Sequence, residues 1–260
     1  MKARKKQQKT AGAVSFGATS HLIGYGAAEA PVKKKNGAWI AIRALVVVAV
    51  CAIGWALLTH RTYAFDLADI PPCSGEPYVE LNGNEPLFTD AEKAGTAAFE
   101  RYSSLDVLGR VGVATANLAE ELMPTEPRGD ISDVRPTGWQ TDRYAFVDQE
   151  FLYNRCHLIA FMLAGENANE RNLFTGTRYL NVEGMLPFEL RIARYIELTG
   201  NHVLYRVTPV FEGTDRVARG VELEGWSVED GGENIRLHVF VYNVQPGVVI
   251  DYRTGESRAE

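Results

Sequence analysis

One apolar run constrains this chain more than any other feature. From Ala38 to Thr59 the sequence AWIAIRALVVVAVCAIGWALLT is apolar for 22 residues apart from Arg43. At about 1.5 Å per residue that length crosses the roughly 30 Å of a bilayer's hydrocarbon. Arg43 lies near one end, where its guanidinium can snorkel to the interface. Lys33-Lys34-Lys35 stand just before the run, and basic flanks stay on the cytoplasmic side. The reading is a single-pass cell-membrane protein. Residues 1–37, basic, rich in Gly and Ala and without a helical or strand period, form a disordered cytoplasmic tail. Residues 38–59 form a signal-anchor helix, 60–75 a linker, and 76–260 a domain outside the cell. A secreted form, cleaved near Thr62-Tyr63-Ala64, competes with this. It requires a basic leader of 37 residues ahead of the apolar run, longer than ordinary signal peptides allow, so the anchor is favoured.

The two sides of the run differ in charge. Residues 1–64 hold ten Lys or Arg and a single acid, Glu29, whereas 65–260 hold 17 basic and 32 acidic residues. Such a domain repels phosphate at long range, so any polyanion site within it must be a local basic groove or rest on a bound cation. Three cysteines exclude a disulfide framework or a Cys-rich zinc site. Cys51 lies in the apolar run, leaving Cys73 and Cys156 either as one bridge or as two unpaired small apolar residues.

After Pro71-Pro72, Tyr78 to Leu81 reads as a strand closed by an Asn82-Gly83 turn. Thr89 or Asp90 caps a helix over about 90–98, and 107–115 reads as a strand. The segment 124–142, with Pro124, Pro127, Gly129, Pro136 and Gly138, is loop. Over 183–198 Met185, Leu186, Phe188, Ile192, Tyr195 and Ile196 recur at helical spacing. His202 to Val210 and Ile235 to Val244 alternate as closing strands. The expected class is α+β, an antiparallel sheet with packed helices.

Histidine is the usual side chain for deprotonating water near neutral pH. His21 and His60 fall in the tail and beside the membrane. His238 shares a strand with Ile235, Leu237, Val239 and Val241 but faces the other way, and His202 opens a strand; both read as structural. His157 differs: it ends Asn154-Arg155-Cys156-His157 and precedes an Asn-rich stretch, GENANERNLFTGTRYLNVEGMLPFE.

His157, Asn172, Asn181 and Glu189 together resemble the DNA/RNA non-specific endonuclease family, the ββα-metal or His-Me finger nucleases. Their short Asp-Arg-Gly-His signature is followed by a metal-binding Asn and then an acid on the same helix. Here the signature is Asn-Arg-Cys-His, departing at its first and third positions. TGTRYLNVEGM, Val134-Arg-Pro-Thr-Gly-Trp139 and Val241-Tyr-Asn-Val-Gln-Pro-Gly-Val248 are similar to the secreted streptodornase-type branch. The resemblance covers about 70–260 and implies a ββα-metal fold that hydrolyses DNA, with RNA left open, to 5′-phosphate ends. It implies His157 as general base, Asn181 as the one direct protein ligand to a Mg²⁺ for which Mn²⁺ can substitute, and Glu189 holding a metal-bound water. Arg155 joins His157 and Glu189 in the catalytic group. Asn172 supports the loop and stands with Arg178, Arg191 and Arg194 on the substrate side.

The chemistry is consistent with this. Mg²⁺ prefers oxygen ligands and keeps several waters, so one amide oxygen suffices when substrate phosphate completes the shell. Zinc would require three or four His, Cys or carboxylate ligands. After the anchor the domain carries sixteen Arg against a single Lys, Lys93, and Arg grips phosphate bidentately. Backbone contacts alone imply weak sequence preference. No protein partner is expected. The rival reading is a catalytically silent DNA-binding or uptake receptor on the same fold.

Overall fold

Three strands with apolar residues at every second position set the frame. Val203–Val210 (β6), Gly220–Ser227 (β7) and Arg236–Tyr242 (β8) pair antiparallel at the centre of a six-stranded sheet. Tyr78–Glu80 (β1) adds to β8, while Ala114–Leu118 (β3) and Phe99–Tyr102 (β2) extend the other side, giving the order β1-β8-β7-β6-β3-β2. The computed structural model describes residues 42–48 and 67–260. The chain divides into two units, 1–61 and 62–260. In the first, residues 42–48 are helical; the tail and the rest of the expected span 38–59 lie outside the described residues. Among the described residues no helix is long and apolar enough to cross a membrane.

The inner face of the sheet carries Ala116, Tyr205, Val207, Val221, Leu223, Leu237, Val239 and Val241 into the main core. Against it packs a smaller unit, two strands and a helix. Tyr153–His157 (β4) pairs antiparallel with Leu173–Thr177 (β5), with the short helix Phe161–Ala164 (α2) between them. After β5 comes a π-turn, Leu180–Met185, that runs directly into the long helix Leu186–Thr199 (α3), where Ile192, Ala193 and Ile196 enter the core. Pro187 sits in the first turn of α3, where its missing N–H has no partner to lose, and Gly200 ends the helix in the left-handed conformation, φ 68°. A second small sheet, Val248–Ile250 (β9) with Ser257–Ala259 (β10), closes the chain.

The outer face of the big sheet is also covered, so β7 is buried almost throughout. Its outward Glu224 is held by Arg206 of β6, and its Glu222 by Nε2 of His238 on β8 at 2.7 Å. Phe88 lies over the Arg206 guanidinium at 4.5 Å.

Several expectations are corrected here. Residues 107–113 are loop, with Val107 fully exposed, and the strand begins only at Ala114. The helix at 90 stops at Lys93 (α1, Asp90–Lys93) despite its Thr89/Glu92 capping box, because Asn117 pulls the next segment out by donating to the carbonyls of Gly95 and Ala97. Part of the expected linker 60–75 is packed. Leu67, Ile70 and Cys73 lie against Val210, Phe240 and Tyr242, and Tyr242 Oη donates to the Pro71 carbonyl at 2.6 Å. Cys73 and Cys156 belong to different apolar clusters and are both free thiols, so the bridge is not formed.

Candidate active site

A cleft of about 640 Å³ opens between the β4-β5-α3 unit and the Pro-rich loop before it. His157, Asn181, Glu189, Arg155 and Arg178 all line it. Asn172, Arg191 and Arg194 do not.

Burial of the β4 end fixes His157. Asn172 is fully buried, and its amide brackets Ile159, accepting from the backbone N–H at 2.9 Å and donating to the carbonyl at 3.0 Å. It therefore locks the chain two residues beyond the histidine and touches no substrate space. The imidazole is 7% exposed, and its Nε2 bonds to the Asn167 carbonyl at 2.9 Å. A carbonyl only accepts, so Nε2 carries the proton and Nδ1 is left as a free lone pair. Burial lowers the pKa of His157, with the Arg128 charge adding to it and the backbone of Asn167 and Glu166 opposing. The neutral form a proton acceptor needs is thus favoured.

The π-turn explains how Asn181 and Glu189 reach one cleft. Eight residues along a regular α-helix would leave two side chains about 80° apart. One extra residue in the π-turn makes the spacing behave as seven, bringing them within about 20° of one face. Gly184 in that turn permits it, since a Cβ there would come within 2.3 Å of Val241 on the sheet. Asn181 donates from Nδ2 to Asn154 Oδ1 at 3.2 Å, which leaves its own Oδ1 available. Glu189 is 6% exposed, nothing among the described residues donates to its carboxylate, and burial pushes its pKa up to about 8. A buried acid without a partner and an amide oxygen without a donor suit a hard cation. Tyr205 Oη, buried with no partner, stands behind them; burial and then the Glu189 charge raise its pKa.

The departures from the signature are also accounted for. Cys156 is fully buried, and its Sγ lies 2.5 Å from where a Cβ on Gly176 of β5 would stand. The bulk at the third position is thus offset by a glycine across the hairpin. Arg155 directs Nε to the Val134 carbonyl and Nη2 to the Ser132 carbonyl and lies 4.1 Å over Trp139. Two of its donors hold the cleft wall, and the side chain lines the cleft with His157 and Glu189. Arg178 binds Asp148 through Nε and Nη2. Arg191 reaches the Asn234 carbonyl, and Arg194 is exposed on α3. The helical turn carries both away from Glu189, and neither lines the cleft.

Residues 91–228 match the profile of the DNA/RNA non-specific endonuclease family, more than half of the chain and every cleft residue named above. The chain belongs to this family. It is a phosphodiester-hydrolysing nuclease, and its main domain is the mixed α/β, antiparallel-sheet fold of that family. NucA from Streptococcus agalactiae with no metal bound is 25% identical over 75% of this chain and 92% of its own, with a TM-score of 0.63. The same protein with a magnesium ion bound gives 25% identity, 72% and 91% coverage, and a TM-score of 0.62. Sda1 nuclease with bound zinc ion is 26% identical over 62% of this chain and 82% of its own, with a TM-score of 0.55. These likenesses agree with the streptodornase-type motifs in the sequence. No curated protein sequence gives a significant match.

Sequence reasoning missed Arg128 and the part played by Asn154. Arg128 lies in a Pro-rich loop, 29 residues before His157, and only tertiary folding brings it to the cleft. Asn154 was legible as a signature position, but its hydrogen bond to Asn181 was not.

Proposed function

We propose that this nuclease is a Mg²⁺-dependent endonuclease cutting DNA, and that it works outside the cell on a single-pass anchor formed by residues 38–59. The observation that carries the chemistry is the state of His157: buried, its Nε2 proton tied to the Asn167 carbonyl, its pKa lowered, in the same cleft as Asn181 and Glu189.

In this reading Nδ1 of His157 takes the proton from a water lying against the scissile phosphate. Asn181 through its amide oxygen, and Glu189 through a bound water, would hold the metal; Mn²⁺ would substitute for Mg²⁺. Such an ion would neutralise charge on the phosphate and on the departing 3′ oxygen. Arg128 and the uncommitted donors of Arg178 contact the phosphate oxygens. Cleavage leaves 5′-phosphate and 3′-hydroxyl ends. Contacts confined to the backbone predict weak sequence preference, and a groove carrying arginines and a cation explains how an acidic domain approaches a polyanion. The magnesium-bound relative supports the metal. For the anchor the support is the length and basic flank of the apolar run.

The test is cleavage of supercoiled plasmid and single-stranded RNA by the full chain with Mg²⁺, with chelator, and in His157→Ala. Metal-dependent cutting lost in the variant is the expected result. Tight DNA binding without cutting under any metal would support the silent receptor instead. Protease added to intact cells checks the topology, and a protected C-terminal domain overturns it.

A further inference from the structure

Asn181 can serve a cation only through Oδ1, yet an asparagine amide flips at little cost and would then offer its NH₂ to the ion. Something must choose the orientation. Nδ2 of Asn181 donates to Oδ1 of Asn154 at 3.2 Å, and the same Oδ1 accepts Nη1 of Arg178 at 3.4 Å. Arg178 is in turn held by Asp148, whose Oδ2 accepts Nε at 3.0 Å and Nη2 at 2.7 Å. The row runs Asp148, Arg178, Asn154, Asn181. Its first member is a carboxylate, which only accepts, and its second a guanidinium, which only donates. Asn154 must therefore present its oxygen to Arg178, and that same oxygen can satisfy only the NH₂ end of Asn181. The polarity of two amides is decided by one ion pair.

The far end of the row is itself held in place. Gln149 and Glu150, next to Asp148, both have positive φ, 60° and 65°. Non-glycine residues adopt that conformation at a cost and keep it where the surroundings demand it. Glu150 is fixed by backbone bonds in both directions, its carbonyl accepting from Tyr144 and its N–H donating to Val147. Asp148 is thus presented to Arg178 from a shaped loop although its side chain is 69% exposed.

We propose that Asn154 is the positioning residue that turns the Asn181 carbonyl oxygen into the cleft, and that Arg178 and Asp148 set the orientation of Asn154. This rests on the reading of Asn181 as the metal ligand. It gives Arg178 a task besides phosphate contact, and it gives the Asn in the first signature position a chemical reason.

The experiment compares Mg²⁺ binding by calorimetry, in the absence of DNA, with the Mg²⁺ dependence of plasmid cleavage, using the full chain. Asn154→Leu is expected to weaken Mg²⁺ binding about 10–100-fold, the usual cost of losing a partner behind a ligand. Its cleavage rate should recover toward wild type at saturating Mg²⁺, with the melting temperature in chelator little changed. Asn154→Asp keeps an acceptor at the same place and should restore most of the affinity. Asp148→Ala should weaken binding in the same direction by less. Wild-type Mg²⁺ affinity in Asn154→Leu, or in Asn154→Ala should the Leu variant not fold, overturns the proposal if Asn181→Ala has lost binding. Wild-type affinity in Asn181→Ala as well means that the ligand reading has failed, and the proposal with it.

Discussion

Two places among the described residues bury a histidine near glutamate, one of them with two and the other with one, and they are built in opposite ways. On the outer face of the large sheet, Glu222, Glu224 and His238 lie close enough together to suggest a metal site. Every one of them already has a protein partner: His238 Nε2 on Glu222, His238 Nδ1 on the Glu85 carbonyl, Arg206 and the Leu87 N–H on Glu224. In and just behind the cleft, among the described residues, Glu189 accepts no hydrogen bond, Tyr205 Oη has no partner, and His157 keeps the Nδ1 lone pair. Residue type and burial do not separate the two clusters; satisfied valence does. A saturated cluster stabilises a sheet, whereas an unsaturated one is completed by water, metal or substrate.

The largest expected effect tests the open side. His157→Ala should lower cleavage about 10²–10⁴-fold with little change in melting temperature, and a variant retaining a tenth of the rate would break the contrast. On the closed side, Arg206→Met strands the buried Glu224 carboxylate and should cost about 3–5 kcal/mol of stability, read by denaturant unfolding. The rate per folded molecule should stay at the wild-type level.

Titration sharpens the comparison further. In metal-free protein the folded pKa of Glu189, about 8, stands above its ordinary 4.5, so the folded state keeps a proton that the unfolded chain has released. Stability should therefore fall as pH rises from about 4.5 toward about 8, by an amount on the order of a few kcal/mol. Burial lowers the pKa of His238, but the Glu222 hydrogen bond and the charges of Glu224 and Glu222 outweigh it and leave the pKa raised. Its contribution is fully present below the ordinary imidazole value and is lost as pH climbs through the raised one. Both regions thus lose stability toward alkali, and the window of His238 opens inside that of Glu189. Melting curves across pH should show the Glu189 part of the loss suppressed by Mg²⁺ and absent in Glu189→Gln. The part that remains in Glu189→Gln should be indifferent to Mg²⁺. A loss unchanged by both would remove Glu189 from the open cluster.

The smallest effect concerns Tyr205. Its hydroxyl has no partner to lose, so Tyr205→Phe should leave stability unchanged or raise it by up to about 1 kcal/mol. A clear loss would show that the hydroxyl is held by a group bound in the cleft and would move Tyr205 into the machinery.

Much of this was legible from the order of residues. Strong alternation marked β6 and β8, helical spacing marked α3, and the motif around His157 with Asn181 and Glu189 marked three residues that do share the cleft. The strands missed were those whose local pattern carried a different message. In β4 and β5 motif residues and threonines replaced apolar alternation. In β7 the alternation is present, but the burial of Glu222 and Glu224 on its second face depends on cross-strand partners. Among the arginines, nearness in sequence does not translate into nearness in space. Arg191 and Arg194 lie two and five residues from Glu189 yet on other faces of α3, while Arg128 is distant in sequence and lines the cleft.

Sequence by itself determined the family and the chemistry on offer, because side-chain type and short-range spacing are properties of the chain alone. Tertiary structure decided which groups are left unsatisfied. Whether a carboxylate meets a guanidinium, as Glu224 does, or nothing, as Glu189 does, depends on strand register and on one π-turn. Those are set by the packing of segments far apart in sequence.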